Sequence, residues 1–301
     1  MALHVVAGAG TTGSRTAMIL ADAGDEVRLV SRRGLGPAHP SIELVIGDTT
    51  DIDRMTAVAE GAETLINTSW APYDRWPAEF PQIGVGVLTA AERTGAGYVS
   101  LSNNYGYGIV NGRYIEDMPM APVSVKGAVR ARMWLDALAA HEAGRVRATE
   151  VRAADFIGRN SGSVYSMLVV PALLAGERVA FPGDLDATKS WSYIGDVAAT
   201  LAAVARDERA WGRAWHVPSS EISVRDMTDR IAAAAGLEKP VLESMSLTDL
   251  AWAGCDDSVT AEFVEMFYSY DRPDLFDSTV TAATFGLTAT PLDTVIAEIA
   301  S

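Results

Sequence analysis

The chain has 301 residues, 49% apolar and 21% charged, a composition that describes a packed globular protein rather than a disordered one. It has no run of about 18 apolar residues, the length a membrane-spanning helix requires. Its formal charge of −15 at pH 7 repels nucleic acid and acidic lipid surfaces, so neither is expected as a partner. Cys255 is the only cysteine and can form no internal disulfide. No charged, signal-like stretch precedes the first apolar run, so a cytoplasmic location is expected.

Leu3–Ala7 reads as a strand, followed by Gly8-Ala9-Gly10-Thr11-Thr12-Gly13 and an apolar helical run over Thr11–Ala23. Strand, tight turn and helix in that order describe a phosphate-binding bend. Gly8 lets the chain turn, Gly10 omits the Cβ that would block a pyrophosphate, and Gly13 lets helix and strand pack closely. The anion would rest on the free N–H groups and positive dipole end of the helix at Thr11 and Thr12. The second strand, Glu26–Ser31, runs into Ser31-Arg32-Arg33. An NAD site would place an acid there for the ribose hydroxyls; a serine and two arginines suit a 2′-phosphate instead. NADP is therefore expected over NAD.

Further strands are predicted at Glu43–Ile46, Thr64–Asn67, Gly97–Leu101 and Arg147–Ala153. Helices are predicted at Asp51–Ala59, Pro81–Thr94 and Val125–Ala143, with Gly24, Gly95 and Gly144 as stop signals. This alternation builds a doubly wound α/β sheet of parallel strands, with ligands outside the strands' carboxyl ends. Asp48 lies where it could accept from an adenine amino group, beside Thr49, while Thr50 or Asp51 suits a helix cap. After Ala153 the rhythm breaks. A helical run follows at Val164–Ala175, then Ile194–Ala205, a short strand at Ala214–Val217 and a helix at Ser223–Ala235 capped by Ser223 with Asp226. A last helix has Thr290 as cap and Pro291 in its first turn. The expected domains are 1–155 plus 191–211 for the nucleotide, and 156–190 plus 212–301 for a smaller, mostly helical lobe on the substrate side.

The glycine bend, Gly47-Asp48, the stretch Ser102–Gly108, Trp191–Ala198, and Trp215–Val217 followed by Ile222–Met227 carry a likeness over nearly the whole length. On these residues the chain resembles the extended short-chain dehydrogenase/reductase superfamily, in its NAD-dependent epimerase/dehydratase-like branch. The resemblance implies a Rossmann fold, a nicotinamide dinucleotide, and a small carbonyl or hydroxyl substrate. It also implies that Thr68, Ser69 and Trp70 pass the cofactor ribose. A homodimer through the helices of the third crossover and Val125–Ala143 is implied as well.

The superfamily's hydride-transferring members carry a Ser and a Tyr-x-x-x-Lys. Matching Tyr107-Gly108 to their Tyr-Gly puts Asn103 in the serine's seat. Matching Pro122–Arg130 to their Pro…Tyr-x-x-x-Lys puts Lys126 on the tyrosine and Arg130 on the lysine. Two readings follow. Lys126 and Arg130, four apart on one helix face, point together at the cofactor, where Arg130 depresses the lysine's pKa and Lys126 polarises or protonates a carbonyl that Asn103 orients. Otherwise catalysis is lost, both cations merely hold ribose and phosphate, and the protein is a silent NADP-binding sensor. Tyr105 and Tyr107 are alternative sources of a phenol.

Trp70, Tyr73 and Trp76 either line a flat apolar pocket or fold onto one another. Phe263, Met266, Phe267, Tyr268 and Tyr270 have helical spacing and are expected in the core or a dimer contact. His4, His39, His141 and His216 lack ligand spacing, so no metal is expected.

Overall fold

A computed structural model describes all 301 residues. Its centre is a seven-stranded parallel sheet built from β1 (Leu3–Ala7), β2 (Glu26–Ser31), β3 (Ile42–Ile46), β4 (Thr64–Asn67), β5 (Gly97–Asn103), β6 (Ala148–Ala153) and β7 (Ala214–His216). The order across the sheet is β7-β6-β5-β4-β1-β2-β3. Strand order reverses between β1 and β4, so the loops leaving their carboxyl ends part and open a crevice. All residues of β4 and β6 are buried, as expected of parallel strands covered on both faces.

Helices α1 (Thr11–Asp22), α2 (Ile52–Ala59), α3 (Trp76–Thr94), α4 (Val125–Glu142), α5 (Ile194–Ala205) and α6 (Val224–Ala234) complete the main elements. One face of the sheet packs Val5, Leu65 and Tyr98 against Met55, Phe80, Val87 and Ala137 of α2, α3 and α4. The other packs Val6, Leu29, Ile66 and Val99 against Leu20 of α1 and Val197 and Leu201 of α5. No helix is long and apolar enough to cross a membrane. The smaller lobe has its own core, with Tyr165, Phe181, Trp191, Met227, Ile231, Phe263, Met266, Tyr270 and Ile296 fully enclosed. The aromatic run at 263–270 belongs to that core, with Phe267 and Tyr268 packed at its edge.

Four local expectations are corrected. α3 begins at Trp76, because Pro77 is the proline of its first turn; Pro81 sits a turn further in and forfeits one backbone bond. The run at Val164–Ala175 is a π-turn over Tyr165–Val169 followed by Val170–Leu174. Pro171 has no N–H to continue an α ladder, and Val170 N–H reaches back to Tyr165 O instead. β7 was expected in the smaller lobe, yet its three residues pair parallel with Glu150–Arg152 at the edge of the main sheet. The last helix spans Leu292–Ala300 with Pro291 in the cap position. Thr290 instead gives its N–H and hydroxyl to the Asp196 carboxylate, at 2.8 and 2.6 Å.

Candidate functional site

A cleft of about 720 Å³ opens at the carboxyl ends of β1, β2 and β4, lined by Gly8, Ala9, Gly10, Ser31, Arg32, Arg33, Asp48, Thr49, Thr68, Ser69 and Trp70, among others. The glycine bend builds its floor. Gly8 has φ +111°, and a Cβ there would lie 2.8 Å from the Ser69 nitrogen. A Cβ on Gly13 would lie 1.9 Å from Gly8 O, so only glycine lets α1 press on β1 so closely. A Cβ on Gly10 would meet nothing within 4 Å: it would project into open space before the α1 N-terminus, which no side chain caps. Thr11, Thr12 and Gly13 stand behind the lining, and the Thr11 hydroxyl donates to Asn160 O at 3.2 Å.

At the far end of this cleft Arg32 and Arg33 are exposed, and neither forms an ion pair. The Ser31 hydroxyl is engaged by its own loop, accepting from Leu35 N–H at 3.2 Å. Asp48 accepts from the N–H and hydroxyl of Thr50 at 2.9 and 2.8 Å. Those bonds, with Arg32 nearby, hold its carboxyl below the ordinary value. Asp51 caps α2 by accepting from Arg54 N–H. Thr68 and Ser69 spend their hydroxyls on the carbonyls of Gly8 and Ala7, at 2.9 Å each, which fixes the β4 exit against the bend.

Beyond Trp70 and Pro72, which line both spaces, lies a second cleft of about 220 Å³. Its walls include Tyr73, Asn103, Asn104, Tyr105, Asp155, Phe156, Met167 and Phe263. Trp70 and Tyr73 thus line a pocket, while Trp76 is buried beneath them with ring centroids 4.9 and 5.1 Å away. Asn103 Oδ1 accepts from Tyr105 N–H at 3.2 Å, and its amide NH2 has no partner. The Tyr73 hydroxyl donates to that of Tyr105 at 3.2 Å. Burial pushes both phenols well above their usual range. Tyr107 lies elsewhere, bonded to His216 Nε2 at 2.7 Å and Arg152 at 2.6 Å.

The expected convergence of Lys126 and Arg130 on the cofactor crevice is not what the structure shows. Both start on one face of α4, but neither lines either cleft. The Lys126 ammonium is fully buried, paired with Glu262 and with Glu265 Oε1 at 2.9 Å, and lies 4.5 Å from the Tyr73 ring centroid. A buried ammonium needs carboxylate partners, and the smaller lobe supplies two. Arg130 turns the other way, donating to Leu101 O at 3.0 Å and stacking over Phe80 and Trp76 at 4.3 and 4.8 Å. Burial brings its pKa down to about 10.

The sequence model of the NAD dependent epimerase/dehydratase family matches residues 4–217. The chain belongs to that family. Among solved structures of the same fold is UDP-glucuronic acid 4-epimerase from Bacillus cereus in complex with NAD, with TM-score 0.79 and 13% identity. That match covers 98% of this chain and 96% of the epimerase. Another is dTDP-glucose 4,6-dehydratase from Bacillus anthracis in complex with NAD, with TM-score 0.78 and 16% identity over 100% of this chain and 96% of the other. A curated relative, 3 beta-hydroxysteroid dehydrogenase/Delta 5-->4-isomerase of Mycobacterium tuberculosis, is 39% identical over 66 residues, 22% of this chain. The matched segment spans 18% of that protein's length.

Asp155, Asn104, Phe156 and Met167 line the second cleft, and the sequence reading assigns none of them to the site. Asp155 carried one signal: it stands just past β6, at the same sheet edge as the glycine bend, where ligands of doubly wound folds collect.

Proposed function

We propose that this member of the epimerase/dehydratase family is an NADP(H)-dependent oxidoreductase acting on a small carbonyl or hydroxyl compound with an apolar or aromatic body. The observation that carries the reading is that the two clefts are neighbours, with Trp70 and Pro72 in the walls of both. A dinucleotide held with its pyrophosphate at Gly8–Gly10 and its adenosine end at Arg32 and Arg33 would direct its nicotinamide toward the Trp70 and Pro72 side, next to the second cleft. The residues fit such a group: the space beyond Gly10 is open, the α1 N–H groups are uncapped, and two unpaired guanidiniums stand where a 2′-phosphate would lie. When bound, the nicotinamide supplies hydride exchange.

The structural neighbours named for sugar nucleotides raise a polar alternative for the substrate. The second cleft argues for a less polar body, because no Lys, Arg or His is among its lining residues to meet a diphosphate. Its aromatic walls suit a ring, in keeping with the steroid named for the mycobacterial relative.

The test is NADPH and NADH binding by fluorescence, followed by a panel of cyclic and aryl ketones with NADPH. Tighter binding of NADPH and consumption of it with a cyclic or aryl ketone support the reading. The Lys126–Glu262–Glu265 cluster favours a second reading, a silent NADP-binding sensor, because it holds Lys126 away from both clefts. NADPH binding with no turnover across the panel selects that reading.

A further inference from the structure

Carbonyl reduction or alcohol oxidation needs a group that moves a proton to or from the substrate oxygen. Three titratable side chains line the second cleft: Tyr73, Tyr105 and Asp155. The two phenols are hydrogen-bonded to each other, and burial holds both protonated. Asp155 is partly open to the cleft, and its carboxylate has neither a hydrogen-bond partner nor an ion pair. It is held on the short strand Asp155–Ile157, in parallel register with Trp191–Tyr193.

Behind Asp155 lies a buried set of charges drawn from several segments. Lys189, on the adjoining strand Thr188–Tyr193, is fully buried and donates to Ser269 O. Asp274, just before the two-residue strand Leu275–Phe276, accepts from Asn104 Nδ2 at 2.6 Å and leaves its Oδ1 buried without a partner. The Asp155 charge also helps to raise the phenols of Tyr105, Tyr114 and Tyr270. The Lys189 charge favours ionisation of both carboxyl groups, although it forms an ion pair with neither. Burial raises both acids, Asp274 to about 7, against the opposing pull of Lys189.

We propose that Asp155 is the catalytic acid–base of the second cleft, serving a ketone or secondary alcohol whose body packs among Trp70, Tyr73, Phe156 and Phe263. The assignment rests on the oxidoreductase reading above. In the reductive direction the carbonyl carbon accepts a hydride from the reduced nicotinamide dinucleotide phosphate. The C=O π pair moves to oxygen, and that oxygen takes the proton from Asp155. The products are the alcohol, the oxidised dinucleotide and the Asp155 carboxylate, which takes a proton back from solvent at the cleft mouth. Oxidation runs the same transfers in reverse, with the carboxylate as base. Asp155 thereby does in this chain what the phenol of Tyr-x-x-x-Lys does elsewhere, from a different strand end.

Two measurements test it. In protein labelled with carboxyl-13C aspartate, with NADPH absent and then present, the Asp155 resonance is identified by its loss in Asp155→Asn. The expected midpoint lies above that of an exposed aspartate; a midpoint at or below it overturns the assignment. With NADPH and cyclohexanone or acetophenone as probes, Asp155→Asn is expected to lower kcat by about 10²–10⁴-fold while NADPH affinity stays within about twofold. A kcat within about threefold of the parent, or an effect confined to KM, overturns the assignment alone. A parent protein that binds NADPH but reduces neither probe nor any ketone of the panel defeats the oxidoreductase reading and the assignment with it.

Discussion

The Lys126 ammonium lies 2.9 Å from Glu265 Oε1 and pairs also with Glu262, latching the first turn of α4 to the smaller lobe. Glu265 uses its other oxygen to accept from Val125 N–H at 2.6 Å, so one carboxylate serves both the cation and the helix N-terminus. Lys126 is thus held in a buried ion pair between the two lobes.

Lys126→Met follows directly. Glu262 and Glu265 keep 33% and 24% of their side chains exposed, so they can turn to water when the ammonium is gone. The expected cost is about 1–3 kcal/mol in a urea titration, below the cost of orphaning a fully enclosed charge. NADPH affinity is expected to change less than about threefold. A loss beyond about tenfold would place Lys126 at the cofactor after all.

Gly10 and Gly13 are expected to separate binding from folding. Gly10→Val projects into open space and leaves thermal stability within about 0.5 kcal/mol while abolishing NADPH binding. Gly13→Ala drives a methyl into Gly8 O and the Thr68 hydroxyl, and is expected to cost about 2 kcal/mol or more. Calorimetry with and without NADPH reads both.

Arg32→Ala combined with Arg33→Ala is expected to weaken NADPH about 10- to 100-fold, through loss of charge-assisted bonds to the 2′-phosphate. NADH affinity should stay unchanged. Equal losses for both dinucleotides would show that the arginines do not read that phosphate.

Asp274 carries a pH dependence whose sign is fixed by its shift. Its folded pKa of about 7 exceeds the ordinary 3.8, so the native chain holds a proton the unfolded chain releases. That stabilisation is full below pH 3.8 and is lost as pH rises through 7. Asp274→Asn keeps an acceptor for Asn104 and removes the titration. The variant is expected to gain stability over the parent at pH 8, by at most about 4 kcal/mol. Parallel stability curves for the two between pH 4 and 8 would contradict this.

The sheet and its crevice are legible in the sequence because local rules and the fold agree there. β1, the Gly8–Gly13 bend and α1 are contiguous, and Gly13 can be only glycine where Gly8 O stands 1.9 Å from a would-be Cβ. What sequence spacing does not carry is where long side chains go. Lys126 and Arg130 share a helix face, but one is drawn to glutamates 136 and 139 residues away and the other to an aromatic stack on α3. Likewise Pro81 reads as a helix start until Pro77 takes that role, and Thr290 reads as a cap until Asp196 claims both its donors. Asp155 owes its place to segments that meet only in the folded chain: β6, Thr188–Tyr193 and the approach to Leu275.

On the proposed reading, the glycine bend and the arginine pair seat a phosphorylated dinucleotide. Isothermal titration of NADPH and NADH into the parent protein and Gly10→Val tests it most directly. The parent is expected to bind NADPH saturably and more tightly than NADH, and Gly10→Val not at all. No binding to the parent, or equal NADPH affinity in Gly10→Val, would contradict it.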